Sequence, residues 1–352
     1  MMSNLPQDLL EEILYRVPAT CLKRIRPTCK RWYALFKDQR FCNNHFHKAP
    51  KQYRILMLKE TRVSILNFNT KFIGTSLVLK NTTFNPEQVC IDRVCHCDGL
   101  LLCTTKDNRL VVWNPCLGET WCIQPRTCNK ISSFALGYEE NKSCPSYKIL
   151  INWYKQNSQA MYEIYEFSSD SWKVLDDVGL DCVIFTNIGA SLKGNTYFIA
   201  EYTLGGCLVC FDFTSERLKR LCLPPSSYHG CMALSVVGEV EQLSLLNRNW
   251  SLSKVEIWVT NNIDTSTEAA LLWTKSFAVD FSVLGYCFSG FICFFNNEGT
   301  KLNVCINARF GTSMKMVHIK DNEDYHIIDS TYEERAWAGF FSYVPSLVKL
   351  RM

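Results

Sequence analysis

Two periodicities divide the chain. Leu9, Leu10, Ile13, Leu14 and Val17 recur at helical spacing. Asn4 is placed to cap this first helix, and Gln7 stands where a capping box needs it. Pro6 falls in the first turn, where a missing amide proton costs nothing, and Pro18 stops the helix. Asp8, Glu11 and Glu12 lie towards its N-terminal end, which suits the helix dipole. A short second helix carries Leu22 and Ile25 and is broken by Pro27. A third runs through TCKRWYALFKD with Cys29, Trp32 and Phe36 as its apolar line. Phe41, His45 and Phe46 belong to a last short helix.

After Pro50 the pattern changes. Short runs rich in Val, Ile, Leu, Phe, Tyr and Cys alternate with Asn, Asp, Gly and Pro, as in YRILMLK, RLVVWNP, SYKILINWY, CLVCFDF and KVEIWVT. Long amphipathic helices are absent, and the strands are too closely spaced for an α/β sheet. Leu66, Trp113, Phe211, Trp258 and Cys305 each sit in an apolar strand ahead of a polar turn, at steps of 47, 98, 47 and 47. Tyr165 in YEIYEFSSDSW fills the double step. About four short strands per repeat describes a propeller blade, and the anchors predict about six blades. A pair of β-sandwiches is the alternative. CDGLLLC, LKGNTYFIA and LGYCFSGFICFF place Gly before an apolar strand and read as blade-opening strands. The run RAWAGFFSYVPSLVKL is expected to close the ring against the strand near 53–59, which removes two open edges. The chain thus reads as a small all-α module over residues 1–48 and an all-β, propeller-like unit over residues 49–352.

Charge sharpens that division. The 352 residues hold 38 Lys/Arg and 34 Asp/Glu. Nine of those bases and four of the acids lie in residues 1–48, a net +5, which leaves a net −1 on the remainder. The basic residues Lys23, Arg24, Arg26, Lys30 and Arg31 raise a DNA-binding reading. Three prolines in so short a stretch disfavour the helix-turn-helix it would need. The apolar positions exceed what one small helical core requires, so a face offered to a partner is expected. A helical cap packed on the body is the alternative.

Nineteen cysteines are scattered from Cys21 to Cys305, many inside apolar runs where a thiol behaves as a small hydrophobe. No secretory leader is legible in MMSNLPQDLLEEILYRVP, and no apolar run reaches membrane-spanning length. The expected setting is a reducing one, the cytoplasm or the nucleus. Cys95, His96 and Cys97 have no second ligand pair nearby, so zinc is not expected. Cys207 and Cys210 count as a CxxC, but a strand would point them to opposite faces. No phosphate-binding, zinc-protease or nucleophile-elbow motif occurs, and the six histidines are isolated. No cofactor, metal, nucleic acid or membrane is expected as a partner.

The first segment, LPQDLLEEILYRVPATCLKRIRPTCKRW, resembles the F-box motif of the large plant families. Leu5-Pro6 matches the opening Leu-Pro, EEIL the first helix, LKRIR the middle segment and CKRW the third helix. Pro27 stands where Ser is common, and Tyr33 where Asn is common. CDGLLLC, VVWNPCLGETWCI, YEIYEFSSDSWKVL and LKGNTYFIA resemble the F-box-associated region of the same plant proteins, some of which carry kelch-like repeats. The double glycine of a kelch blade is missing, though Gly205-Gly206 occurs once, read here as a turn. The resemblance implies docking on the SKP-type adaptor of an SCF ubiquitin ligase and, through it, on a cullin. It implies Leu5, Pro6, Leu9, Ile13, Leu14, Val17, Pro18, Leu22, Cys29 and Trp32 as the docking surface or the small core behind it. The sequence does not divide them between those jobs. A non-catalytic subunit that presents an unidentified target protein is the function implied. A ubiquitin-independent scaffold and a propeller enzyme are the other classes considered. Loops around Tyr154–Ala160, Tyr228–Cys231 and Asn261–Ala269 are candidate target contacts.

Overall fold

The computed structural model describes residues 5–350 except 60–61, 67–74, 78–89, 127–128, 140–144, 156–158, 181, 185–188, 203–204, 226–231, 238–240, 250–253, 262–270, 281–286, 296–301, 311–312, 320–324 and 333–338. Four helices come first: α1 (Gln7–Tyr15), α2 (Ala19–Ile25), α3 (Lys30–Leu35) and α4 (Gln39–Lys48). Pro27 lies in a single 3-10 turn, Arg26–Thr28, between α2 and α3. The capping box expected at α1 is not formed. Asn4 lies outside the described residues, and Pro6 itself is the N-cap. Gln7 is engaged otherwise: its amide donates to Glu11, and its carbonyl accepts from Arg31 at 3.2 Å on α3. Pro18 caps α2 in the same manner, and Asp38 accepts the Arg40 amide to start α4.

Among the described residues, strands begin at Arg54 and form six antiparallel sheets of four or five strands. In chain order the complete blades are β4 (Ile91–Cys97) to β7 (Glu119–Ile123), β8 (Ser133–Glu139) to β11 (Ser171–Leu175), β12 (Val183–Ile184) to β16 (Arg217–Leu221), β17 (Met232–Val237) to β20 (Trp273–Asp280), and β21 (Cys287–Phe295) to β24 (Tyr325–Tyr332). The remaining blade joins both ends of the ring. β25 (Gly339–Tyr343) pairs antiparallel with β1 (Arg54–Lys59), followed outward by β2 (Arg62–Leu66) and β3 (Thr75–Leu77). The expected closure against residues 53–59 is therefore what the fold uses. Each inner strand lies beside those of the blades on either side, from β25 through β4, β8, β13 (Ala190–Leu192), β17 and β21 back to β25.

Burial on both sheet faces explains why these strands read as continuous apolar runs. Along β5 (Leu100–Thr105), Leu100 and Leu102 pack towards the following blade, and Leu101 and Cys103 towards the preceding one. β6 (Leu110–Asn114) alternates likewise, with Leu110 and Val112 on one side and Val111 and Trp113 on the other. Cys207 and Cys210 on β15 (Gly205–Asp212) enter two different inter-blade cores, as alternation requires. Gly205-Gly206 opens that strand and is not a turn.

Five of the six repeat anchors fall on the third strand of a blade: Leu66, Trp113, Tyr165, Phe211 and Trp258. Cys305 lies on β22 (Leu302–Phe310), the second strand of its blade, because β21 and β22 are nine residues each and stretch the spacing. The Gly-led strands β5 and β14 (Asn195–Tyr202) are second strands, where blade-opening strands were expected. Their glycines belong to two-residue hairpins, Asp98–Gly99 and Lys193–Gly194, with all four residues at positive φ. A signal absent from the strand pattern is the recurrent Trp of the outer strands. Trp172 donates its indole N–H to the Gln124 carbonyl, and Trp273 to that of Cys222, each pinning a blade to the one before.

His96 carries a pH consequence. Its Nε2 accepts the Gly99 amide at 2.9 Å, and its ring stands edge-on to Tyr343. Burial, with Lys51 nearby, lowers its pKa to about 3. A neutral ring in the fold against an ordinary pKa of about 6.5 unfolded gives stability that is complete above pH ~6.5 and falls as pH drops towards ~3. The loss is on the order of 2 kcal/mol by pH ~5. Thermal melts from pH 7 to 5 are expected to show a decline that His96→Asn flattens; an unchanged slope contradicts this role.

Candidate docking surface

The helical module has an inner and an outer side. Leu10, Leu14, Tyr15, Leu22, Leu35, Phe36, Phe41 and Cys42 form its core. Cys116 and Leu347, from the propeller side, complete that core, with Leu117 packed against it. Tyr15 stacks on Phe41 with ring centres 5.2 Å apart. His45 is fully enclosed and bonds the Val17 carbonyl through Nε2 at 2.8 Å, tying α4 to the end of α1. Burial holds its pKa below the usual range, so the neutral ring donates that bond. The same burial pushes the Cys42 thiol up to about 12, leaving it an inert core group.

The ten residues singled out from sequence divide accordingly. Leu14 and Leu22 are core, at 3% and 0% exposure. Val17 and Trp32 are partly buried against that core. Leu5, Pro18 and Cys29 are half-buried, and Cys29 is the N-cap of α3. Pro6, Leu9 and Ile13 are exposed, with Leu9 at 50% and Ile13 at 41%. Leu9 and Ile13 are one helical turn apart, so they stand side by side on the outer face of α1. Tyr33, at 43%, is an exposed aromatic that the apolar pattern of α3 passes over. It is flanked by Arg26 and Lys37, whose charged ends lie 5.0 and 4.5 Å from its ring centre. Those cations, Lys37 foremost, lower the Tyr33 hydroxyl pKa.

Packing on the body and presenting an outer face are thus both true of this module. Three of the large apolar side chains exposed among the described residues lie in its forty-odd positions, Leu9, Ile13 and Tyr33; Val183 and Leu272 lie in the propeller. Among the described residues, no group of three or more His, Cys, Asp or Glu is arranged to hold a metal. No helix among them is long and apolar enough to cross a membrane.

Comparison with known proteins places both parts. Residues 2–44 match the model of the F-box domain, and residues 54–350 that of the F-box associated beta propeller domain. The chain belongs to the F-box proteins with an F-box-associated propeller. Among relatives, a putative F-box/kelch-repeat protein of Arabidopsis thaliana is 50% identical, covering 99% of this chain and 97% of its own. A putative F-box only protein of the same plant is 46% identical over 99% and 96% respectively. Among solved structures, TolB from Acinetobacter baumannii is 10% identical with a TM-score of 0.49, covering 82% of this chain and 66% of its own. In this F-box protein Cys116 and Leu117 of the β6–β7 turn join the helical core, so the module stands on the propeller face made by the β4–β5 and β6–β7 turns. In an up-and-down blade the β5–β6 and β9–β10 loops emerge on the opposite face.

That geometry sorts the candidate target loops. Tyr154–Ala160 lies between β9 and β10 (Ala160–Glu166), on the face away from the F-box; residues 156–158 are outside the described ones. Tyr228–Cys231 lies wholly outside the described residues. Asn261 follows β19 (Lys254–Thr260), at a third-to-fourth strand connection, which belongs to the F-box face; 262–270 are outside the described residues.

Proposed function

We propose that this F-box protein is the substrate-recognition subunit of an SCF-type ubiquitin ligase. Residues 1–48 dock on an SKP-type adaptor, and through it on a cullin, and residues 49–352 hold a target protein. The observation that carries the reading is the outer face of α1. Leu9 and Ile13 remain open to solvent on one side of a helix whose Leu10, Leu14 and Tyr15 are enclosed. An apolar pair on a helix is a suitable anchor for a groove between partner helices. Leu14, Leu22 and, in part, Val17 and Trp32 hold that face in shape from behind.

The propeller contributes position. Target contacts on the face away from the F-box keep the bound protein clear of the adaptor, and one assembly then holds target lysines near the charged conjugating enzyme. Rate is gained by effective concentration, with no covalent step on this chain. The direct test is co-expression of the full chain with an SKP-type adaptor and gel filtration. A stoichiometric complex is expected. Two separate elution peaks at micromolar concentration would remove the reading.

A further inference from the structure

Beyond the ring-closing strand β25, residues 344–350 run as an irregular, buried segment between the helices and the propeller. Its side chains serve two cores. Leu347 enters the core of the helical module, beside Cys116 and with Leu117 against it. Val348 and Leu350 enter the propeller core shared by the β4–β7 and β8–β11 blades, against which Phe46 of α4 also packs. The backbone is tied on both sides as well. Asn114, fully enclosed on β6, donates its amide to the Ser346 and Val348 carbonyls at 3.2 and 2.9 Å. Ser346 donates its hydroxyl to the Asp98 carbonyl at 2.7 Å. From the other side, Gln39 of α4 donates to the Lys349 carbonyl at 3.2 Å.

Asn114 distinguishes this blade. Its Oδ1 caps the β6–β7 turn by accepting the Leu117 amide, a role Asp212 fills in its own blade by accepting Thr214 and Ser215. Glu166 holds the matching place in the intervening blade. A carboxylate can cap the turn but cannot donate. Only the amide provides the two N–H groups that hold the segment.

We infer that segment 344–350 makes the folded state of the F-box module conditional on closure of the propeller ring. The helices borrow Leu347 from more than 300 positions away in the chain, and that residue is placed only when β25 has paired with β1. An F-box on an unclosed ring lacks part of its core and loses the order of α1 that presents Leu9 and Ile13. Incomplete or misfolded chains are then withheld from the ligase. This last consequence rests on the adaptor reading proposed above; the coupling itself does not.

The test uses the full chain carrying Leu347→Asp or Asn114→Asp, and reads hydrogen exchange by segment together with adaptor affinity. Protection in α1 and α4 is expected to fall about tenfold or more, with the strands β8 to β16 retaining theirs. Adaptor affinity is expected to fall about tenfold in parallel, although no docking side chain is changed. Leu347→Ala serves the same comparison if the Asp variant loses the whole fold. Unchanged protection of α1 and α4 in Leu347→Ala and Asn114→Asp overturns the coupling. Loss of protection in a protein whose parent never binds the adaptor supports the coupling and sinks only the ligase reading.

Discussion

Replacing Leu9 and Ile13 together by Asp is expected to abolish adaptor binding while leaving the melting temperature within a degree or two of the parent, about the range of surface substitutions. Both side chains are about half exposed, so the fold gains little from them. Completing their burial against a partner is worth about 1 kcal/mol each on apolar area. Forcing two carboxylates into that contact adds a desolvation cost of several kcal/mol. A combined loss of at least ~4 kcal/mol corresponds to a roughly thousandfold weaker complex. Titration calorimetry of the full chain with the adaptor measures this. The contrast is Leu22→Ala, a fully enclosed core position, expected to cost about 2–5 kcal/mol of stability as a cavity. If the double Asp variant binds like the parent, α1 is not the docking face. If Leu22→Ala weakens binding at unchanged stability, the division between surface and core is wrong.

The second large effect is expected at Lys148 on β9 (Ser146–Tyr154). Its side chain is 6% exposed and its ammonium lies 2.9, 3.1 and 3.5 Å from Glu216, Glu139 and Glu166. Lys173 reaches the other oxygen of Glu216 at 2.7 Å. Burial opposes the charge on Lys148, but its bonds to Glu216 and Glu139 outweigh that and raise its pKa. Burial also opposes ionisation of Glu216, yet Lys148 and then Lys173 hold its carboxyl below the usual range. Lys148→Ala leaves three carboxylates facing one another around a void. Removing one partner of a buried pair costs about 3–5 kcal/mol, and the variant is expected to lose that amount in urea unfolding at pH 7. The sign with pH is opposite in the two proteins. In the parent, a depressed Glu216 contributes stability above its ordinary range, and this is lost as pH falls through the folded value. In Lys148→Ala the crowded carboxylates are relieved by protonation, so acidification towards pH ~5 is expected to narrow the deficit. A deficit under about 1 kcal/mol, or one that widens on acidification, contradicts this account.

Much of the architecture was legible because both periodicities are strong. The helical spacing of Leu10, Leu14 and Leu22 marks the core of the module, and LLLCTT and LVVWN are mostly apolar because both faces of a blade strand are buried along their whole length. The repeat located five equivalent strands and slipped by one strand at Cys305, where long hairpins change the spacing. Two local expectations failed for physical reasons. Gln7 bonds along and across helices, where a capping role was expected, and two of the three Gly-led strands, β5 and β14, are second strands because the I′ hairpin sits inside the blade, whereas β21 opens its blade as expected.

The candidate docking surface was legible only as a set. Ten residues share one apolar signature, and helical spacing cannot say which side of α1 will face the propeller. That choice depends on the packing of Cys116, Leu117 and Leu347 into the module's core, and these lie far from the helices in the sequence. Tyr33 gave no periodic signal, because its surroundings are set by Arg26 and Lys37 from a turn and a helix end.

By itself, the sequence determined the division into a basic helical part and a nearly neutral strand-rich part, the strand repeat, and the family. Local patterning suffices for these, since each blade and each helix carries its own periodic signature. Tertiary structure alone decided that Leu9 and Ile13 are outside while Leu14 and Leu22 are inside, and that residues 344–350 bind the two parts together. Such outcomes rest on contacts between positions hundreds of residues apart, and no local period encodes them.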